Sequence, residues 1–88
     1  MIPDSHAFVK PPVTFKRYDV RKLIREGIEP LPEIRRRVDG LKSGEGLVLI
    51  APFLPSPLIE KLGSEGFASK LEHGQGADWI VYFWREAN

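Results

Sequence analysis

The stretch Gly27-Ile28-Glu29-Pro30-Leu31-Pro32-Glu33-Ile34 is where the chain passes from a strand exit into its first long helix. Proline has no backbone N–H, so Pro30 and Pro32 are tolerated in a first helical turn, where those donors lack an intrahelical partner. From Ile34 the apolar residues recur at Val38 and Leu41, the spacing of one buried helical stripe. A helix is therefore expected from about Pro32 to Asp39, with Gly40 placed to take the left-handed stop conformation. A helix start carries partial positive charge and free N–H groups, a seat suited to an anion or a reactive group.

Upstream, Val13 to Val20 is rich in β-branched and aromatic residues and reads as a first strand. Arg21 to Gly27 is a connection with one helical turn at Lys22–Arg25. Met1 to Pro12, with Pro3, Pro11 and Pro12, reads as an extended arm. Downstream, Lys42-Ser43-Gly44-Glu45-Gly46 is a loop, and Leu47-Val48-Leu49-Ile50-Ala51 is a continuous apolar run suited to a strand buried on both faces. Pro52 to Pro55 turns the chain. Ser56 is placed as an N-cap with Pro57 at the first helical position. Leu58 and Leu62 then face inward, Ile59 flanks them, and Gly63 or Gly66 ends the helix. Phe67 to His73 alternates, with Phe67 and Leu71 on one face and Lys70 and Glu72 on the other. Gly74-Gln75-Gly76-Ala77-Asp78 is a hairpin loop, and Trp79 to Arg85 is the last strand.

The order is βαβαββ. It predicts an α/β (α+β) two-layer sandwich, one mixed four-stranded sheet with two helices on one face. The arm, 1–12, precedes a single domain, 13–88. A chain of 88 residues has room for one core and buries only about 60–65% of the surface it exposes unfolded. Thirteen basic and 12 acidic side chains leave a formal charge of +1, which supplies no general field for nucleic acid or anionic lipid. The absence of cysteine excludes disulfides, thiol chemistry and Cys-ligated metal. No apolar run reaches membrane-spanning length, and Met1–Lys10 lacks the pattern of a signal peptide, so the expected location is cytoplasmic.

The run Tyr18-Asp19-Val20, the corner Gly27 to Pro32 and Ser43-Gly44-Glu45-Gly46-Leu47-Val48-Leu49-Ile50 resemble the small TusA/SirA-like sulfur-carrier proteins. Asp19-Val20-Arg21, Glu29-Pro30-Leu31-Pro32-Glu33-Ile34 and Leu49-Ile50-Ala51-Pro52-Phe53 are closer to a branch of that superfamily, a bacterial domain of unknown function sometimes fused to hemerythrin-like domains. The resemblance spans roughly Phe15 to Arg85. It implies a sheet order 1-2-4-3 with an exposed second face. The sulfur carriers hold Cys-Pro-x-Pro at this helix start, the Cys carrying a persulfide. Here the matching residues are Glu29, Pro30, Leu31 and Pro32. A carboxylate cannot carry sulfane sulfur, so that activity does not transfer.

In a βαβα arrangement both strand exits and both helix starts share one sheet edge, the edge where open α/β sheets tend to bind ligands. Candidate ligand-binding residues there are Asp19, Arg21, Glu29, Pro30, Pro32, Phe53 and Ser56, with Leu54 beside them. One reading is a small anionic or peptide ligand held by helix-start N–H groups and Arg21. The plainer one has Glu29 complementing the helix dipole, worth roughly 0.3–1 kcal/mol, and Asp19 pairing locally with Arg21. A catalytic version needs a carboxylate pair such as Asp19 and Glu29 with a displaced pKa. Arg35-Arg36-Arg37 invites a nucleic-acid reading. Successive helical residues lie about 100° apart, however, so the three fan outward. Glu33 and Asp39 stand four residues from Arg37 and Arg35 and neutralise them. His6 and His73 share no metal-ligand spacing.

The last strand is apolar on both faces. Trp79, Val81 and Phe83 are assigned to the helix side, and Ile80, Tyr82 and Trp84 to the open face, since Tyr82 and Trp84 carry polar handles. Ile80, Tyr82 and Trp84 are then a candidate interface for a partner protein or self-association. Alternatively Ile2, Phe8 and Val9, or the stems of Lys70 and Lys16, cover them. The expectation is a non-catalytic binding module, without metal or cofactor. An enzyme or accessory subunit using Asp19, Arg21 and Glu29 is the alternative, and RNA binding through the first long helix a weaker one.

Overall fold

The computed structural model describes residues 13–85. The expected arm, with Ile2, His6, Phe8 and Val9, lies outside them. The elements are β1 (Thr14–Asp19), α1 (Arg21–Arg25), α2 (Leu31–Asp39), β2 (Glu45–Ala51), α3 (Ser56–Ser64), β3 (Phe67–His73) and β4 (Trp79–Arg85). One mixed sheet has the order β1-β2-β4-β3. β1 runs parallel to β2, and β4 runs antiparallel to both β2 and β3. This is the expected order, and it puts the two most apolar strands in the centre, where both edges are paired with neighbouring strands. The core joins Leu47, Leu49 and Ala51 of β2 and Val81 and Phe83 of β4 to Ile34 and Val38 of α2 and Leu62 of α3, with Val20 and Phe67 at its ends.

Three helices are present where two were expected. The turn in the first connection is a five-residue helix, α1, and its Ile24 packs on the core. Gly27 ends it at φ 77°, with Gly27 N–H donating to the Ile24 carbonyl and Ile28 N–H to that of Leu23. That paired bonding is a Schellman stop, which requires a left-handed residue. The left-handed stop expected at Gly40 is therefore misplaced: Gly40 is right-handed at φ −88°. Ser56 is likewise not the cap of α3. Pro55 takes that place, and no side chain caps the helix.

Alternation along β4 sends Val81 and Phe83 into the core and Ile80, Tyr82 and Trp84 to the helix-free face. Those three are half-buried, and β1 contributes a ring that covers two of them. The Phe15 ring meets Tyr82 edge-on at 5.1 Å and Trp84 at 6.1 Å between centroids. Phe15 lies over Gly46, its register partner. Tyr82 Oη donates to Glu72 Oε1 at 3.1 Å, which raises the hydroxyl's pKa. Lys16 cannot shelter this face. It aligns with Leu47, a core residue, so it points to the helix side, where it pairs with Glu45 at 3.4 Å.

Candidate functional site

Because β1 and β2 are parallel, α1 and α3 both begin at the same end of the sheet, and α2 starts there after the Gly27 stop. Both long helices open in the same way. Pro30 caps α2 with Pro32 at its second position, and Pro55 caps α3 with Pro57 at its second. Between these starts lies a groove of about 610 Å³. Its floor is core (Val20, Ile34, Leu49 and Ala51), and its walls are Ile24, Gly27, Ile28, Pro30 and Leu31 on one side and Phe53, Pro55, Pro57 and Leu58 on the other. Among the described residues Glu29 and Lys61 are the charged ones that line it. Ile28, Leu31 and Phe53 are about half exposed, at 49%, 48% and 51%. Leu54, next along the chain, is 37% exposed.

The backbone here offers few donors. Leu31 N–H donates to Glu29 Oε1 at 3.0 Å, and Ser56 N–H donates to the Leu54 carbonyl at 2.9 Å. The next position in each helix is proline, which has no N–H. The first turn of each helix thus has its leading amide occupied and its second removed.

Of the seven corner candidates, Glu29, Pro30 and Phe53 line the groove. Pro32 and Ser56 belong to the helix starts but do not face it. Asp19 and Arg21 are somewhere else. Arg21 Nε donates to Asp19 Oδ1 at 2.9 Å, Nη2 to Asp19 Oδ2 at 2.6 Å and Nη1 to Asp78 Oδ2 at 2.7 Å. Arg21 N–H also donates to Asp19 Oδ1 at 3.0 Å. Since β2 lies between β1 and β4, this cluster straps the exit of β1 to the residue before β4 across the end of β2. The Arg21 side chain holds the Asp19 carboxyl at about 2, below its ordinary value, against the opposing effect of burial.

The structure does not bring Arg21 to the helix-start amides: Arg21 serves two carboxylates, and the leading amides donate to Glu29 and to the Leu54 carbonyl. The carboxylate pair is not assembled either. Both oxygens of Asp19 are on Arg21, and Glu29 caps its own turn in the groove. The three arginines of α2 are engaged as well. Arg37 pairs with Glu33 at 2.9 Å and stacks over Tyr18 at 3.9 Å, Arg36 pairs with Glu33, and Arg35 pairs with Asp39 at 3.4 Å. Arg35 also bridges to Glu65 at the end of α3, a tie between helices that sequence spacing did not suggest. Among the described residues, no group of three or more His, Asp or Glu is placed to hold a metal. His73 stacks on Trp79 at 4.1 Å. Among the described residues no helix is long and apolar enough to cross a membrane.

A family model described as an uncharacterized conserved protein, DUF2249, matches residues 17–85. The chain belongs to the DUF2249 family. Comparison with curated proteins and with solved structures gave no match. The matched span of this DUF2249 chain contains both helix starts and the whole groove lining. Sequence reasoning missed the groove residues Ile24, Ile28, Leu31, Leu58 and Lys61. A signal for them existed in the recurrence of Pro-x-Pro at Pro30-Leu31-Pro32 and Pro55-Ser56-Pro57.

Proposed function

We propose that this DUF2249 chain is a small, cytoplasmic, non-catalytic binding module that takes an apolar group between the starts of α2 and α3. One observation carries the reading. Among the described residues five large hydrophobic side chains are exposed, and three of them (Ile28, Leu31 and Phe53) line the groove, with Leu54 next to Phe53 in the chain. Burying the exposed half of each such side chain is worth on the order of 1 kcal/mol, so an occupant covering several of them has a real driving force. The volume lies within the range of ordinary small-ligand sites.

Descent from the TusA/SirA-like sulfur carriers, through the bacterial branch sometimes fused to hemerythrin-like domains, belongs to the same proposal. Its supports are the sheet order and the prolines retained at the start of α2, with Glu29 in the place of the thiol. Lacking cysteine, the chain keeps the corner as a recognition surface and not as a carrier. The enzymatic alternative is weakened by the separate engagements of Asp19 and Glu29, and RNA binding by the carboxylates on all three α2 arginines. Association through Ile80, Tyr82 and Trp84 ranks second, since Phe15 already packs on two of them.

The test is amide NMR of the full chain against a panel of small aromatic and aliphatic fragments, with a short RNA as control. Saturable shifts clustered at Ile28, Leu31, Phe53 and Leu58 are expected, and they vanish in Phe53→Asp. Shifts confined to Arg35–Arg37 with RNA, or no fragment acting on the groove at millimolar concentration, overturn the reading.

A further inference from the structure

We infer that the ligand of this groove is amphiphilic, an aliphatic or aromatic body ending in one carboxylate, with the body between α2 and α3 and the carboxylate on Lys61. The inference rests on the groove reading above and adds the chemistry of the ligand's polar end.

The groove lining is predominantly apolar and offers a polar group few partners. The leading amide of α2 is held by Glu29, that of α3 by the Leu54 carbonyl, and Pro32 and Pro57 supply none. An unpaired polar group buried against that lining costs roughly 1–3 kcal/mol, which favours ligand polar atoms at the rim. The rim has two charges. Glu29 already accepts the Leu31 N–H and stands just ahead of a helix, where its own negative charge is well placed and a second one is repelled.

Lys61 is differently situated. The carboxylate nearest its Nζ is Glu65, four residues on, at 3.7 Å. Both oxygens of Glu65 accept hydrogen bonds from Arg35, so that carboxylate is already served by a guanidinium. An ammonium has three donors on a flexible four-carbon stem. Lys61 can therefore turn over the groove mouth and meet a carboxylate without leaving Glu65 unpaired. The groove thus supplies an apolar body site with a cation at one end, and charge complementarity selects an acid over an amine or an alcohol.

The experiment titrates the full chain with octanoate, octanol and octylamine at matched concentration and follows amide shifts at Ile28, Leu31, Phe53 and Leu58. Octanoate is expected to bind about two- to five-fold more tightly than octanol, the scale of one exposed ion pair, and octylamine more weakly than either. Lys61→Met is expected to erase the preference for the acid, so that octanoate and octanol bind that variant alike, and Lys61→Arg to keep it. Equal binding of octanoate and octanol, or a preference that survives Lys61→Met, overturns the carboxylate inference and leaves the groove reading intact. Tighter binding of octylamine points to Glu29 and overturns it also. If none of the three moves the groove resonances, both readings fail.

Discussion

A Cβ built on Gly46 would stand 2.6 Å from Phe15 Cε1 and 2.6 Å from the Phe83 carbonyl oxygen. A side-chain ring can shift, but the carbonyl belongs to the β2–β4 ladder and cannot. Gly46→Ala is therefore expected to destabilise the fold by about 1–3 kcal/mol in denaturant unfolding, and Phe15→Ala in the same chain to relieve only part of that loss. The glycine looks like loop punctuation in the sequence. Its reason is the aromatic ring above it, which comes from a strand about 30 residues earlier. The Arg21 cluster yields a second residue-scale outcome. Asp19 has its folded pKa lowered to about 2, so its contribution to stability is complete above the ordinary carboxylate pKa near 4. It is lost as the pH falls from about 4 through 2. Acid unfolding followed by circular dichroism is expected to lose that segment of its pH dependence in Asp19→Asn. A variant with an unchanged acid limb shows that the Asp19–Arg21 contact is not present in solution.

At the scale of the element, the start of α2 is held by Glu29 through a single accepted N–H. Glu29→Ala is expected to cost about 0.5–1 kcal/mol, the scale of one exposed hydrogen bond to a leading amide, and Glu29→Gln less, because the amide oxygen still accepts. The tie between α2 and α3 is Arg35–Glu65, a two-pronged contact between side chains about one-third exposed. A double-mutant cycle on Arg35→Met and Glu65→Gln is expected to give a coupling of about 0.5–1 kcal/mol that shrinks in high salt. A value of zero means the helices are positioned by their apolar faces alone. The helix pattern was readable because Ile34, Val38 and Leu62 follow helical periodicity. The stop was not. Gly27 and Gly40 look alike in one dimension, and only the bonds from Gly27 and Ile28 back into α1 single out the former.

For the molecule as a whole, stability and the proposed binding should separate. Leu62 is fully buried, so Leu62→Ala is expected to cost about 2–5 kcal/mol. Phe53 is half exposed on the groove, so Phe53→Ser is expected to leave the unfolding midpoint within about 0.5 kcal/mol while abolishing fragment binding. A large loss of stability in Phe53→Ser means that this side chain serves the core. The amino-acid order by itself determined the succession of elements, the residues of β3 and β4 and the apolar stripe of α2. Each of these is written in local periodicity and in where proline and glycine are tolerated. The pairing of Asp19 and Arg21 was legible too, being only two residues apart. Tertiary structure alone decided that Arg21 reaches Asp78, that Arg35 reaches Glu65, that Phe15 mends the helix-free face, and that two Pro-x-Pro starts enclose a groove. Those contacts join residues up to 57 positions apart. Their geometry depends on how strands and helices pack, and no local pattern of residues encodes it.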